Sequence, residues 1–222
     1  MNPLKGMNKQ DPLKRLVEKQ SAQKEFSPMD PPDAYMPPKT DSIPYEKMSP
    51  FLQVLMDEHV VCLNKLDLFE EALLRLQKNG LVADHQADPG LRDFFSFLDK
   101  NIVAHNQKEE KILFPLLQER LLQKGEHSQE PNPVTAVDML EDDHIRLMQL
   151  AAVTFNFLGL AVRLPDPASQ VMVLDAAIEQ GKSLVEILRL HIFREDNVAF
   201  SLAAKLITVK EFQEMEKRLP SE

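Results

Sequence analysis

Apolar residues recur at alternating steps of three and four along four stretches of the chain. This spacing places them on one face of a helix that packs against other helices. Burying a histidine and a carboxylate on such a face without partners costs several kcal/mol, and a bound metal ion is a good candidate to offset that cost. The second stretch predicts such a helix, because its apolar face reads Leu91, Phe95, Leu98, Ile102, His105, Glu109, Ile112 and Leu116.

Start and stop signals bound the helices. Ser49-Pro50 provides an N-cap and a proline in the first turn of the first helix, and Asn79-Gly80 ends it. Thr208 and Glu211 form a capping box that opens a short terminal helix reaching about Leu219. We expect Pro115 to kink or loosen the second helix. The second, third and fourth helices are predicted over about 90–122, 134–161 and 168–204.

Four long amphipathic helices joined by shortish loops favour an all-α fold, an up-down-up-down four-helix bundle. Residues 49–205 form the predicted bundle, and 206–222 the short C-terminal helix. Residues 1–48 hold eight of the sixteen prolines and are predicted to be extended or poorly ordered.

Composition narrows the class of protein. The 222 residues carry a formal net charge of −9, which argues against nucleic acid as a partner. Cys62 is the single cysteine, so no internal disulfide can form, and its place on the first apolar face predicts a small core residue. The sequence shows neither a signal-peptide core nor an apolar run of the length of a membrane span. We expect a soluble cytoplasmic protein that does not contact a membrane.

The apolar faces of the four helices contain six ionisable residues. A single histidine on such a face is more often a satisfied core residue, and His-x-x-x-Glu alone is a weak signal. Six together favour a metal site. His85 and His127 fall in connectors and are expected to be solvated. The candidate metal ligands are His59, His105, Glu109, His144, His191 and Glu195.

The two halves of the chain repeat this pattern. Asp57-Glu-His59 matches Asp142-Asp-His144, and each His-x-x-x-Glu motif is followed five residues later by Phe114 or Phe200. The first and second histidines are 46 residues apart in one half and 47 in the other. Two helical hairpins related by a pseudo-twofold axis would therefore supply equivalent ligand sets.

Four imidazoles and two carboxylates exceed what one tetrahedral zinc ion takes. They suit two metal ions bridged by both carboxylates and by an oxide or hydroxide, with one position left open on each. This ligation favours iron, and manganese or zinc less. The flanking acids can orient the imidazoles as outer partners or form a solvated face; these acids are Asp57, Glu58, Asp142 and Asp143.

Residues 50–204 resemble the hemerythrin-like (HHE cation-binding) family. The resemblance rests on Asp57-Glu-His59, His105-x-x-x-Glu109-Glu with Leu113-Phe-Pro115, Glu141-Asp-Asp-His144 and His191-x-x-x-Glu195-Asp196. It implies a four-helix bundle around a non-haem di-iron centre whose ligands are the six residues, with Glu109 and Glu195 bridging.

The chain departs from the oxygen-carrying members of that family. Their fifth histidine corresponds to Met148, so reversible oxygen carriage is doubtful. On their last helix those carriers use His-x4-Asp, and Asp196 stands at that spacing from His191. Only Glu195 lies on the apolar face, so it is the predicted ligand. The ligand pattern is similar to that of the iron-centre repair proteins and of the iron-sensing domains. The repair proteins carry a cysteine motif in an N-terminal region, and residues 1–48 contain no cysteine, so the resemblance does not carry the repair function over.

The leading hypothesis is a di-iron protein that binds oxygen, peroxide or nitric oxide in sensing, storage or detoxification. Two alternatives remain open: an enzyme of the peroxidase or oxidase type, and a regulatory module whose metal loading a protein partner reads. The sequence alone does not separate them.

Overall fold

A computed structural model describes residues 43–81, 89–129 and 131–219, and all regular structure within them is helical. A 3₁₀ turn, Tyr45–Lys47, precedes the first long helix. The α-helices in chain order are α1 (Pro50–Asn79), α2 (Pro89–Phe97), α3 (Val103–Lys108), α4 (Phe114–Lys124), α5 (Ala136–Arg163), α6 (Pro167–Arg194), α7 (Phe200–Leu206) and α8 (Val209–Glu216).

Three five-residue π-helical segments join some of these helices end to end. Leu98–Ile102 links α2 to α3, Glu109–Leu113 links α3 to α4, and Glu195–Ala199 links α6 to α7. Four continuous helical runs result, namely α1, residues 89–124, α5 and residues 167–206. They agree with the predicted helices to within about two residues at each end.

Capping residues set the helix ends. The Ser49 hydroxyl accepts a hydrogen bond from the Leu52 amide at 3.3 Å, and Gly80 ends α1 with a φ of 67°. Thr135 forms a capping box with Asp138, which was not predicted and starts α5 two residues later than expected. The predicted box of Thr208 does open α8, which ends at Glu216 rather than near Leu219.

The expected effect of Pro115 takes a definite form. Proline has no N–H to donate, so the carbonyl of Lys111 loses its usual partner four residues on. The π-helical segment Glu109–Leu113 contains Lys111 and ends two residues before Pro115. The Arg218 guanidinium, just after α8, donates to the Lys111 carbonyl at 2.9 Å. This hydrogen bond to the Lys111 carbonyl connects the C-terminal segment to the helical run 89–124.

Two apolar clusters form most of the core, and the polar side chains lie between them. One contains Phe51, Leu117, Leu140 and Phe200, and the other Phe69, Phe94, Leu147 and Leu184. The apolar faces are those reached in steps of three and four from the six ionisable residues along the four helices. They are buried except for five half-buried positions: Leu76, Phe95, Leu116, Leu158 and Val198.

Most of the predicted segment 1–48 lies outside the described residues. Its last part, residues 43–48, contacts the helices: the Ile43 amide donates to the Ser201 hydroxyl at 3.0 Å, and Met48 is buried. Tyr45 donates to the Asp57 carboxylate at 3.0 Å.

Helix α5 is long and apolar enough to cross a membrane by length and hydropathy alone, a property that was not predicted. The mean hydropathy over 18 of its residues is 1.6, and 22% of that window is buried. Core helices of soluble proteins reach similar hydropathy. His144 of this helix points into the polar cluster described below.

Candidate metal centre

The six predicted side chains converge at one level of the helices. Both carboxylates, Glu109 and Glu195, are fully buried. The four histidines are between 3% and 8% exposed. Their nearest ring nitrogens and carboxylate oxygens form two groups, in each of which the ligand atoms lie within 4.8 Å of one another. One group is His59, His105, Glu109 and Glu195, and the other is Glu109, His144, His191 and Glu195.

The two groups share both carboxylates. The Nε2 atoms of His59 and His105 are 3.0 Å apart, and those of His144 and His191 are 3.1 Å apart. Glu109 lies 3.4 Å from Nε2 of His105 through one oxygen, and 3.4 Å from Nε2 of His144 through the other. Each carboxylate oxygen thus faces a different histidine pair, which is the arrangement of a bridging ligand.

Glu195 repeats this arrangement from the other hairpin. Its Oε2 lies 3.2 Å from Nε2 of His59, and its Oε1 lies 3.2 Å from Nε2 of His191. Both glutamates are the first residue of a π-helical segment. Such segments are rare and occur frequently at functional sites.

Acidic side chains meet the outer nitrogen of three rings. Nδ1 of His59 is 2.8 Å from Asp196, and Nδ1 of His144 is 2.7 Å from Glu110. Nδ1 of His105 is 2.8 Å from Glu58. A proton on Nδ1, donated to the carboxylate, leaves the Nε2 lone pair directed into the cluster, as carboxylate–histidine–metal arrangements require.

The fourth ring, that of His191, has an acidic side chain near its outer nitrogen but no hydrogen bond to it. Asp143 lies 3.7 Å from Nδ1 of His191, too far for a hydrogen bond, and also accepts from Arg194 at 2.8 Å. In the other hairpin the Lys108 ammonium contacts Glu58. Lys108 follows His105 by three residues, as Arg194 follows His191. The repeat therefore extends beyond the six central residues to their partners and to a cation that holds one acid in each half.

Aromatic rings cover one side of two histidines. Phe200 stacks on His59 with ring centroids 5.7 Å apart and an interplanar angle of 4°. Phe114 stacks on His144 at 5.9 Å and 19°. These are the two phenylalanines that the repeat aligned, and each comes from the hairpin opposite to its histidine.

Several buried polar atoms of the described residues lack a hydrogen-bond partner. They are both carboxylate oxygens of Glu109, both of Glu195, and Nδ1 of His191. Buried ionised carboxylates are costly unless paired or bound to a metal. Four such oxygens directed at four imidazole nitrogens fit a pair of cations, and they are the oxygen and nitrogen ligands that first-row transition metals accept.

Charge pairing governs protonation of the ligands. Burial opposes a charge on His59, but Asp196 and Glu195 outweigh it and raise its pKa to about 10. Burial likewise opposes the charged forms of His105 and His191, whose pKa values are raised to about 9 and about 10 by Glu109 and Glu195 respectively. Burial also disfavours ionised Glu195, yet His191 and His59 hold its pKa well below the ordinary value. Without a cation, positive imidazoles balance the carboxylates.

Other predicted residues lie apart from the cluster. The Asp57 carboxylate accepts a hydrogen bond from the Tyr45 hydroxyl. Asp142 is exposed, and the side chain of Met148 is 37% exposed. Cys62 is buried among apolar side chains, and burial raises the pKa of its thiol to about 12. It is the core residue that the sequence predicted.

The two connector histidines are placed differently from one another. His127 is half-buried rather than solvated, and its Nδ1 lies 2.8 Å from the Ser128 carbonyl. His85 lies outside the described residues.

Two outer partners of the histidines were not predicted as such. The apolar pattern gives Glu110 no role, and it offers Asp196 only as an alternative ligand to Glu195. Both follow a buried glutamate directly, so they lie off the apolar face. The internal repeat does mark both partners, because an acidic residue directly follows Glu109 in one half and Glu195 in the other.

Comparisons with known proteins agree with this geometry. The family model of the hemerythrin HHE cation binding domain matches residues 51–203, which include all six central residues. The chain is 28% identical over 122 residues to the iron-sulfur cluster repair protein YtfE of Enterobacter sp. (strain 638). That alignment covers 54% of this chain, which spans about half the length of the relative. No solved structure matches significantly.

Proposed function

Because the chain belongs to the hemerythrin HHE cation-binding family, we propose that it is a non-haem di-iron protein of the hemerythrin type. It binds oxygen, peroxide or nitric oxide at open iron positions and serves sensing, storage or detoxification. The proposed iron ligands are His59, His105, Glu109, His144, His191 and Glu195.

One observation carries the proposal. Two groups of nitrogen and oxygen atoms share both carboxylates, and the shared oxygens are buried without a hydrogen-bond partner among the described residues. This is the donor set of a pair of ions held side by side. With two histidines and two bridging oxygens for each ion, an octahedral cation retains positions that the protein does not fill.

The proposal includes an up-down-up-down bundle. From N- to C-terminus, α1 and α5 pass from the apolar cluster that contains Phe51 to the one that contains Phe69. The runs 89–124 and 167–206 pass between the same clusters in the opposite direction. The ligands fall between the clusters in all four runs. Alternating directions of this kind support antiparallel neighbours.

Iron, when bound, supplies redox capacity and exchangeable coordination positions. Asp196, Glu110 and Glu58 hold three of the four imidazoles, those of His59, His144 and His105, in one tautomer. The apolar clusters on either side keep water from the carboxylates. We assign binding rather than transport because Met148 stands where the oxygen carriers have a fifth histidine, so one iron would lack that protein ligand.

A second candidate function comes from the relative named an iron-sulfur cluster repair protein. Within this chain the single cysteine is buried, and its raised pKa keeps the thiol protonated at neutral pH. Repair by this chain would therefore use iron held by the histidines and glutamates rather than a thiolate. Transfer of iron from the loaded protein to a cluster-free ferredoxin tests this function.

The test of the main proposal is metal content together with optical spectra. Protein produced with iron should hold two iron ions per chain, and nitric oxide added to the reduced protein should change its spectrum. His191→Ala should lower both signals strongly, whereas His127→Ala, outside the centre, should change neither. Well under one iron per chain in the wild type would refute the proposal.

A further inference from the structure

A cavity of about 220 Å³ adjoins the histidine cluster. His59, His105 and His191 border it, whereas Glu109 and Glu195 are not among its lining residues. Its lining is mostly apolar and includes Phe97, Ile102, Leu147 and Leu188. Exposed residues such as Lys100 also line it, so the cavity reaches the protein surface.

The cavity is larger than the proposed diatomic or peroxide ligands require. An apolar protein cavity of about 150 Å³ is large enough to hold benzene, and a single water needs only about 10–15 Å³. The present cavity therefore has room for one aromatic ring with a substituent.

The wall of the cavity contains the one π-helical segment, among the described residues, that the repeat does not explain. The other two each begin at a buried glutamate, in corresponding positions of the two halves. Leu98–Ile102 has no such counterpart, because the corresponding part of the fourth run belongs to the regular helix α6. It supplies Lys100, Asn101 and Ile102 to the lining. A segment of this kind beside a cavity indicates a binding function.

The charge at the cavity mouth is positive. Lys108 is paired with Glu58, so that pair adds no net charge. Lys100 is exposed, and no ion pair or hydrogen bond of its ammonium group is found within the described residues. Asn101 and Asn106 add amide groups to the lining. The mouth is therefore suited to an anionic group.

We propose that this cavity binds a monocyclic aromatic acid. The ring lies against Phe97, Ile102 and Leu188, and the carboxylate lies at the mouth beside Lys100. The inference deepens the proposed function and rests on it for its role, because this ligand would occupy the space next to three of the proposed iron-ligating imidazoles. Its binding does not itself require a metal.

Benzoate and its neutral isostere benzamide are the probes. Ligand-observed NMR titrations use the full chain, both iron-loaded and after chelation. We expect saturable benzoate binding in both forms, about threefold tighter than that of benzamide, the size of an exposed ion-pair contribution. Lys100→Gln should remove the difference between the two probes.

Ala104→Trp should weaken binding of both probes at least tenfold by filling the mouth. Asn101→Trp, at an exposed position of the lining, gives the same test if the first variant does not fold. Ala152→Trp is the matched control, an exposed helical alanine outside the cavity, and should bind like the wild type.

The inference is overturned by any of these results: no saturable binding of benzoate, benzoate affinity unchanged in the tryptophan variants, or equal affinity for benzamide. Benzoate binding that appears only in the iron-loaded protein and survives Ala104→Trp would place the carboxylate on the cations, and also overturns it. Failure of the chain to bind iron would refute the proposed function and leave the titration of the chelated form intact.

Discussion

Asp196 holds His59 from the outer edge of its ring, with Oδ1 2.8 Å from Nδ1. The preceding residue, Glu195, faces Nε2 of the same ring at 3.2 Å. Two consecutive acids of the fourth run thus contact opposite edges of one imidazole of the first. Glu195 and Asp196, the two candidates for the second bridging carboxylate, therefore lie on opposite sides of the imidazole. Only Glu195 belongs to the groups that could hold a cation.

Asp196→Asn is therefore expected to weaken metal binding without changing the number of ions bound. The amide still accepts from Nδ1, but it lacks the charge that makes the imidazole a stronger ligand. Loss of such an outer partner typically costs 10–100-fold in metal affinity. Competition titration with a chromophoric chelator measures the change.

Asp142→Asn is the control, since Asp142 is exposed and lies next to the equivalent ligand region of α5. It should leave the affinity unchanged. If Asp196→Asn instead removed one ion per chain at saturating metal, Asp196 would be a ligand and our assignment of Glu195 would be wrong.

Metal affinity should rise with pH between about 6 and 9. Burial disfavours the charged histidines, but the carboxylates raise the pKa values of His59 and His105 to about 10 and about 9 in the metal-free protein. The charged rings stabilise the metal-free fold fully below their unfolded pKa near 6.5, and this contribution is lost as the pH rises through about 9–10. Metals bind neutral imidazole, so uptake at pH 7 must release protons.

Calorimetric titration with Co²⁺ in two buffers of different ionisation enthalpy measures this release. The observed enthalpy should differ between the buffers in proportion to the protons released. An affinity and an enthalpy that depend on neither pH nor buffer would mean that the imidazoles are already neutral before the metal binds.

The sequence predicted the helices and the cluster because both follow from one periodicity. Steps of three and four put His144 and Leu147 on the same buried face, whichever helix covers it. Acids that contact the outer ring nitrogens, such as Glu110, lie off this face. Their contacts depend on how the two neighbouring helical runs are rotated about their own axes. That rotation is altered by the π-helical segments, for which the sequence offers no marker beyond Pro115.

The size of the cavity could not be predicted for a related reason. Leu147 and Leu188 each lie three residues from a histidine of the cluster, so periodicity places them on the buried faces of their helices. The space between them depends on the separation of the runs, which periodicity does not specify. Nothing in the local sequence distinguishes Lys100 and Ala104 from other exposed positions of a helix.

Two glycine-to-alanine substitutions should differ in effect although both glycines are helical. Gly159→Ala should stabilise the fold by about 0.5–1 kcal/mol, since apart from its chain neighbours and the backbone of its own helix no atom lies within 4 Å of the new methyl group. In Gly181→Ala the methyl would lie 2.7 Å from Cδ1 of Leu73, so that side chain must shift. An off-rotamer leucine costs about 0.5–1.5 kcal/mol, which cancels the gain. Urea unfolding measures both, and equal stabilisation would show that Leu73 relaxes freely.

Removal of the metal should lower the melting temperature of the wild type. The carboxylate oxygens of Glu109 and Glu195 have no hydrogen-bond partner within the described residues, so a cation that binds only the folded chain stabilises it. Free metal at about a thousand times the dissociation constant contributes about 4 kcal/mol, which corresponds to a shift on the order of 10 °C for a domain of this size. Differential scanning calorimetry with and without a chelator measures the shift.

Glu109→Met should abolish this dependence on the chelator, because both groups of ligands share Glu109 and each would lose a bridging oxygen. Glu119→Met is the matched control, since Glu119 is exposed on α4 and contacts Gln123 and Arg120 at the surface. It should retain the full shift. A wild-type melting temperature that the chelator leaves unchanged would mean that protonated histidines alone are sufficient to hold the buried carboxylates, and that the cluster is a structural ion network rather than a metal centre.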